Sequence, residues 1–186
     1  MSNRLRATLA TTAAAALAAT AFAAPAAAGA RPGNQTIYEI ASSSPDFTYL
    51  TAALEATGLD AALDGRDQYT VFAPTDAAFE KVADELGAAG VGDGTVGTLL
   101  GFLVANDLAD DVLLYHVTDG RRIAKSVVGR TDKPISTLLG SSLTATSSGT
   151  LVDASPATSD AAIVATDISA SNGVVHVIDN VLVPLQ

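Results

Sequence analysis

The chain has 186 residues and a formal net charge of −10, which excludes the basic footprint that a nucleic-acid partner requires. It has no cysteine, so disulfides, thiolate chemistry and a lipid-modified N-terminal cysteine are excluded as well. Alanine supplies much of the 48% apolar content and tryptophan is absent, so a single domain with a modest core of Val, Leu and Ile is expected.

Arg4 and Arg6 precede the alanine-rich stretch Ala7 to Ala24, and Ala26-Ala27-Ala28 offers a small-residue cleavage pattern before Gly29. Residues 1–28 are therefore read as a signal peptide. The stretch is too weakly hydrophobic for a retained anchor, and Pro25 interrupts it. Its removal takes away two arginines and no acid, moving the charge from −10 to −12. The mature chain is expected to be secreted (extracellular or periplasmic) and without a membrane span. Residues 29–35 read as a short polar linker, and residues 36–186 as one domain.

Ile37, Ile40 and Ala41 recur at helical spacing. A second helix follows Pro45, with Phe47, Leu50, Ala53, Leu54 and Thr57 as its apolar stripe and Gly58 at the C-cap position. Leu59 and Leu63 suggest a short third helix. Tyr69 to Ala73 alternates like a strand that Pro74 ends; Thr75 is placed to cap a following helix, with Asp76 adding negative charge to its first turn. Phe79, Val82, Ala83 and Leu86 form that helix's buried stripe.

Gly92-Asp93-Gly94-Thr95-Val96-Gly97 has the spacing of a dinucleotide fingerprint. A helix end, not a strand, precedes it, so the match lacks the required context. Two helical pieces, Leu99 to Val104 and Leu108 to Leu114, are separated near Asn106-Asp107. Asp107, Asp110 and Asp111 lack the spacing of a calcium loop and read as a solvated turn. Arg121, Arg122, Lys125, Arg130 and Lys133 then gather half of the basic residues. This segment reads either as a solvated loop and strand edge or as a docking patch for an anionic polymer.

From Ile135 the helical signal gives way to short strands: Ile135 to Leu139, Ser142 to Thr146, Gly149 to Val152 and Ala161 to Thr166. Asn172-Gly173 signals a tight turn in which both residues tolerate positive φ. In the strand that follows, Val174, His176 and Ile178 share one face and Val175 and Val177 the other, so both faces are covered. Asp179-Asn180 can turn the chain, Val181 to Val183 can pair back, and Pro184 can stop the ladder. Helices first and strands second imply an α+β domain.

The two histidines, His116 and His176, are each followed three residues later by an aspartate (Asp119, Asp179). A metal site can be drawn from these four groups, but in a strand positions i and i+3 face opposite ways. The favoured reading is that each imidazole is a buried, hydrogen-bonded strand residue. Tyr115 reads either as an interface aromatic or as a core ring with a tethered hydroxyl. No serine lies in a nucleophile elbow and neither histidine has an evident nucleophile beside it, so no catalytic residue, metal or cofactor is assigned.

With these residues placed, the sequence resembles a fasciclin domain. Tyr69 to Phe79 is similar to the family's first conserved box, Asn172 to Pro184 to its second, and Tyr115-His116 to the tyrosine–histidine pair between them. The resemblance implies a wedge-shaped β-sandwich with several helices packed on one side. It implies non-catalytic adhesion to a cell-surface or extracellular-matrix protein or polysaccharide. It also implies contact residues at Tyr115-His116 and at Asp167-Ile168, while Thr75, Asp76, Asn172, Gly173, His176 and Pro184 take structural roles. Thr166 and Ser169 depart from the flanks of the integrin-binding animal versions. The alternatives from other classes are an extracellular hydrolase or accessory protein acting on a polymer, and a small-ligand or metal carrier.

Overall fold

The computed structural model describes residues 33–184 apart from residues 89, 91, 154 and 157, so the expected leader and the first linker residues lie outside the described residues. The helical part comes first: α1 (Ile37–Ser43), α2 (Thr48–Thr57) and α3 (Asp60–Leu63), then β1 (Tyr69–Pro74), then α4 (Asp76–Ala88), α5 (Val96–Ala105) and α6 (Ala109–Tyr115). The remainder is β2 (Val117–Asp119), α7 (Ala124–Val127), β3 (Lys133–Ser136), β4 (Ser142–Ala145), β5 (Thr150–Val152), β6 (Ala161–Ala170) and β7 (Gly173–Ile178).

The seven strands form one mixed sheet in the order β2-β1-β7-β6-β5-β4-β3. β7 lies parallel to β1 over their full lengths and antiparallel to β6. β6 is long and bulged between Ile163 and Ile168, and only its first residues pair with β5. One strand thus belongs to both halves of the sheet, which folds over at that point, since bulges bend and twist a strand. The edges nearly meet: Leu138 N donates to Val117 O at 2.8 Å and Thr118 Oγ1 to Ser136 O at 2.7 Å. Phe72, Tyr115, Ile135, Leu143, Leu151, Ile178 and Leu182 fill the space inside the fold. A second core lies on the helical side, where Val71, Val175 and Val177 meet Leu50, Leu54, Phe79 and Val82. The α+β expectation holds, and every residue of β7 is buried, as its doubly apolar pattern implies.

Local chemistry explains the corners. Thr36 and Glu39 form a reciprocal capping box on α1. Phe47 offers α2 no side-chain cap; instead the Asp76 carboxylate accepts from Tyr49 N at 2.9 Å. Asp76 therefore lies in the first turn of α4 and also caps a second helix. Thr75 Oγ1 accepts from Ala78 N at 3.2 Å. Gly173 is required by closeness: a Cβ there would stand 1.9 Å from Tyr69 O.

Several expectations are corrected. Val181 to Val183 form no strand, and β7 ends at Ile178, six residues before Pro184, which is buried but stops no ladder. Asp179 ends the strand by exchanging hydrogen bonds with Ala162, its Oδ1 accepting from Ala162 N at 2.7 Å. Strand β1 lies where the Tyr69 to Ala73 pattern puts it, whereas α7 lies among the strands and departs from the order of helices first and strands second. Finally, His116 is no strand residue but the C-cap of α6.

Candidate functional site

His176 lies in the centre of β7, fully buried, with its ring stacked on Phe72 at a centroid distance of 5.8 Å. Its Nε2–H donates to Arg122 O at 2.9 Å, and its Nδ1 accepts from Asp167 N at 3.3 Å. Both nitrogens are used only by the neutral ring. Burial lowers its pKa, against the bond to Arg122 O and the Asp167 carboxylate, which raise it.

Asp167 stands at the bulge of β6 with φ of 60°. This left-handed conformation is one that aspartate adopts more readily than most residues. Its carboxylate accepts from Ala124 N at 2.7 Å. Thr70 Oγ1 accepts from Arg122 N at 2.8 Å and donates to Gly120 O at 2.7 Å. The Arg121 guanidinium donates to Ala170 O at 3.0 Å and to Ser169 Oγ. Three strands thereby hold the loop from Gly120 to Ala124 in place. Ile123, Lys125 and Arg130 remain exposed on its outer side. The basic segment is thus half structural, since Arg121 serves the sheet while Lys125 and Arg130 face solvent.

His116 makes a second clamp with the opposite tautomer. Its Nδ1–H donates to Val112 O at 2.7 Å, and Nε2 accepts from Leu182 N at 2.9 Å. It joins the end of α6 to the C-terminal segment. Burial lowers its pKa from 6.5 to about 4. Tyr115 is fully buried in the inner core with its hydroxyl directed to Ser142 O.

The expected contact residues therefore separate. Tyr115 and His116 are 0% and 2% exposed, so a partner meets neither without opening the fold. Asp167 and Ile168 are half-buried at the surface, with Ile168 packed against the helical core. The two histidine–aspartate pairs do not converge. Among the described residues no cluster of three or more His, Cys, Asp or Glu side chains could hold a metal ion.

Three polar residues carry more than the sequence suggests. Buried Asn172 accepts from Ile37 N at 2.8 Å and donates to Leu63 O at 2.6 Å, tying α1 and α3 to the turn before β7. Buried Asn180 donates to Ser159 O at 2.6 Å. Asp153 accepts from Val183 N at 2.8 Å. The asparagine before a glycine had only a turn signal, and nothing in spacing marks its amide as a node.

Fold and site define an α+β domain whose folded sheet carries helices on one face and whose imidazoles fasten separate backbone segments. The chain belongs to the fasciclin domain family, whose model matches residues 45–184. It is 36% identical to protein sll1483 of Synechocystis sp. over 80% of this chain and 73% of that protein. It is 33% identical to immunogenic protein MPB70 of Mycobacterium bovis, over 77% of this chain and 66% of that protein. It is 31% identical to the transforming growth factor-beta-induced protein ig-h3 of Sus scrofa, of which it spans only 19%. A solved FAS1 domain pair from the insect cell adhesion molecule fasciclin I shares the fold, with a TM-score of 0.56 and 18% identity over 80% of this chain and 51% of that one. Among the described residues no helix is long and apolar enough to cross a membrane.

Proposed function

We propose that the protein is a secreted, non-catalytic adhesion module that attaches to a surface or matrix polymer through the loop of residues 121–133 and the adjoining Asp167-Ile168 ridge. The observation that carries this reading is the bond from Ala124 N to the Asp167 carboxylate at 2.7 Å. It sets Asp167, one of the expected contact residues, against the basic segment. Exposed Ile123 supplies apolar contact there, and Lys125 and Arg130 supply charge. Membership of a family that includes an insect cell adhesion molecule supports attachment, and the leader pattern supports export. The absence of turnover is supported by the imidazoles, whose nitrogens are all engaged with backbone groups. In this reading Tyr115 and His116 serve the surface from beneath, by fixing the core on which it rests.

The test is binding to an immobilised sulfated polysaccharide and to its desulfated form across a salt series. The sulfated form should bind with an affinity that falls as salt rises, and Lys125→Glu with Arg130→Glu should abolish it without lowering the melting temperature. Equal binding of both forms, or an unaffected double variant, would remove the loop from the interface.

A further inference from the structure

Between α2, α5 and α6 lies a hollow of about 340 Å³. It is bordered by Ala52 and Ala56 on α2, Leu100 and Leu103 on α5, and Val112 on α6, with Val181 beyond them. Among the described residues the one polar side chain on its wall is His116, and both of that ring's nitrogens are already paired with backbone. Water inside would find few protein partners, so an apolar hollow of this kind favours an apolar guest. The volume is roughly twice that of a cavity that accepts benzene, which corresponds to a chain of about ten carbons.

The outer wall is unusual as well. Helix α5 (Val96–Ala105) has no charged residue, yet only Val96 is buried, and Phe102 and Val104 are 45% and 50% exposed. A second hollow of about 290 Å³, bordered by Leu86, Leu99 and Phe102, lies on its other side. A helix apolar all round is normally covered. Here it closes a space instead of filling one. Ala52, Ala56 and Gly101 border the hollow and are exposed, so it opens to solvent between α2 and α5.

Charge selects the guest. Among the described residues no Lys or Arg lines the hollow, and in the sequence Arg66 and Lys81 are the only Lys or Arg between Asp46 and Asp119. Asp110 and Asp111 stand in the first turn of α6 beside the lining residues Ala109 and Val112. A carboxylate entering the hollow would find no counter-ion among the described lining residues.

We propose that this hollow binds an uncharged aliphatic chain, as in a long-chain alcohol or the tail of a neutral lipid. The full mature chain should take up the neutral probe N-phenylnaphthylamine saturably at one per molecule. Dodecanol should displace it, and dodecanoate should bind roughly tenfold more weakly or worse, because a charge gains no partner there. Ala52→Phe and Ala56→Phe, which place a ring in the mouth from exposed positions, should each weaken uptake at least tenfold. Phe102→Ser, outside this hollow, should leave it unchanged. Equal binding of dodecanoate and dodecanol would overturn the proposal without reliance on any variant, as would failure of the folded protein to take up the probe. Undiminished uptake in both phenylalanine variants would overturn it too. Uptake that is lost with Phe102→Ser and tracks dimer formation in light scattering would assign the α5 face to a second copy instead.

Discussion

Acidification should unfasten the C-terminal segment through His116. Its neutral ring donates from Nδ1 to Val112 O and accepts at Nε2 from Leu182 N. Protonation leaves two donors facing each other at the Leu182 contact. Burial brings the pKa from 6.5 down to about 4. The unfolded chain takes up this proton near pH 6.5, whereas the folded protein resists it to about pH 4. The unfolded state therefore binds more protons across that window, and stability falls as pH falls through it. The contribution is complete above the unfolded value and gone below the folded one. At about 1.4 kcal/mol per pKa unit, the loss reaches about 2 kcal/mol at pH 5 and about 3 kcal/mol at pH 4. That is a large share of the ~5–15 kcal/mol typical of a domain. His176, also lowered by burial, acts in the same direction. Urea unfolding of the wild type and of His116→Gln, from neutral pH to pH 4, separates this effect from the carboxylates, which titrate in both. The wild type should lose stability more steeply between pH 6.5 and 4. Parallel curves, or an NMR titration of His116 centred near 6.5, would refute the reasoning.

Other outcomes follow from named contacts. Gly173→Ala should prevent folding, because the added Cβ would meet Tyr69 O, whereas Gly101→Ala meets nothing and should stabilise α5 by about 1 kcal/mol in thermal melts. Asn172→Ala leaves Ile37 N and Leu63 O without partners and should lower stability by about 3 kcal/mol in chemical denaturation. Asp167→Ala should speed hydrogen exchange at the Ala124 amide while lowering global stability by only about 1 kcal/mol, since the contact is partly exposed.

Much of this fold is written in periodicity. The helical stripe from Phe47 to Thr57, the Gly58 cap and the doubly buried β7 are all local patterns, and the structure has them. Helix α7 is hidden because it spans a single turn inside a charged segment, and strand β2 because its three residues continue the apolar run that ends α6. Val181 to Val183 read as a strand by composition, but their amides go to Asn180, His116 and Asp153 side chains instead. Side-chain competition for backbone groups leaves no period in the sequence. For the same reason the site was only partly legible. Asp167 and the basic run are each visible, but their union depends on a bulge and a left-handed aspartate. His116 is buried and bonded as its apolar surroundings imply, but it stands outside any strand, because the apolar run around it is shared by the end of α6 and the start of β2.

The central claim is that attachment runs through the loop seated on Asp167. Retention of the purified protein on surface material from its source organism tests this most directly, comparing the wild type with an Ile123→Asp, Lys125→Glu variant of equal melting temperature. The wild type should be retained and the variant washed away. Equal retention of the two would contradict the account.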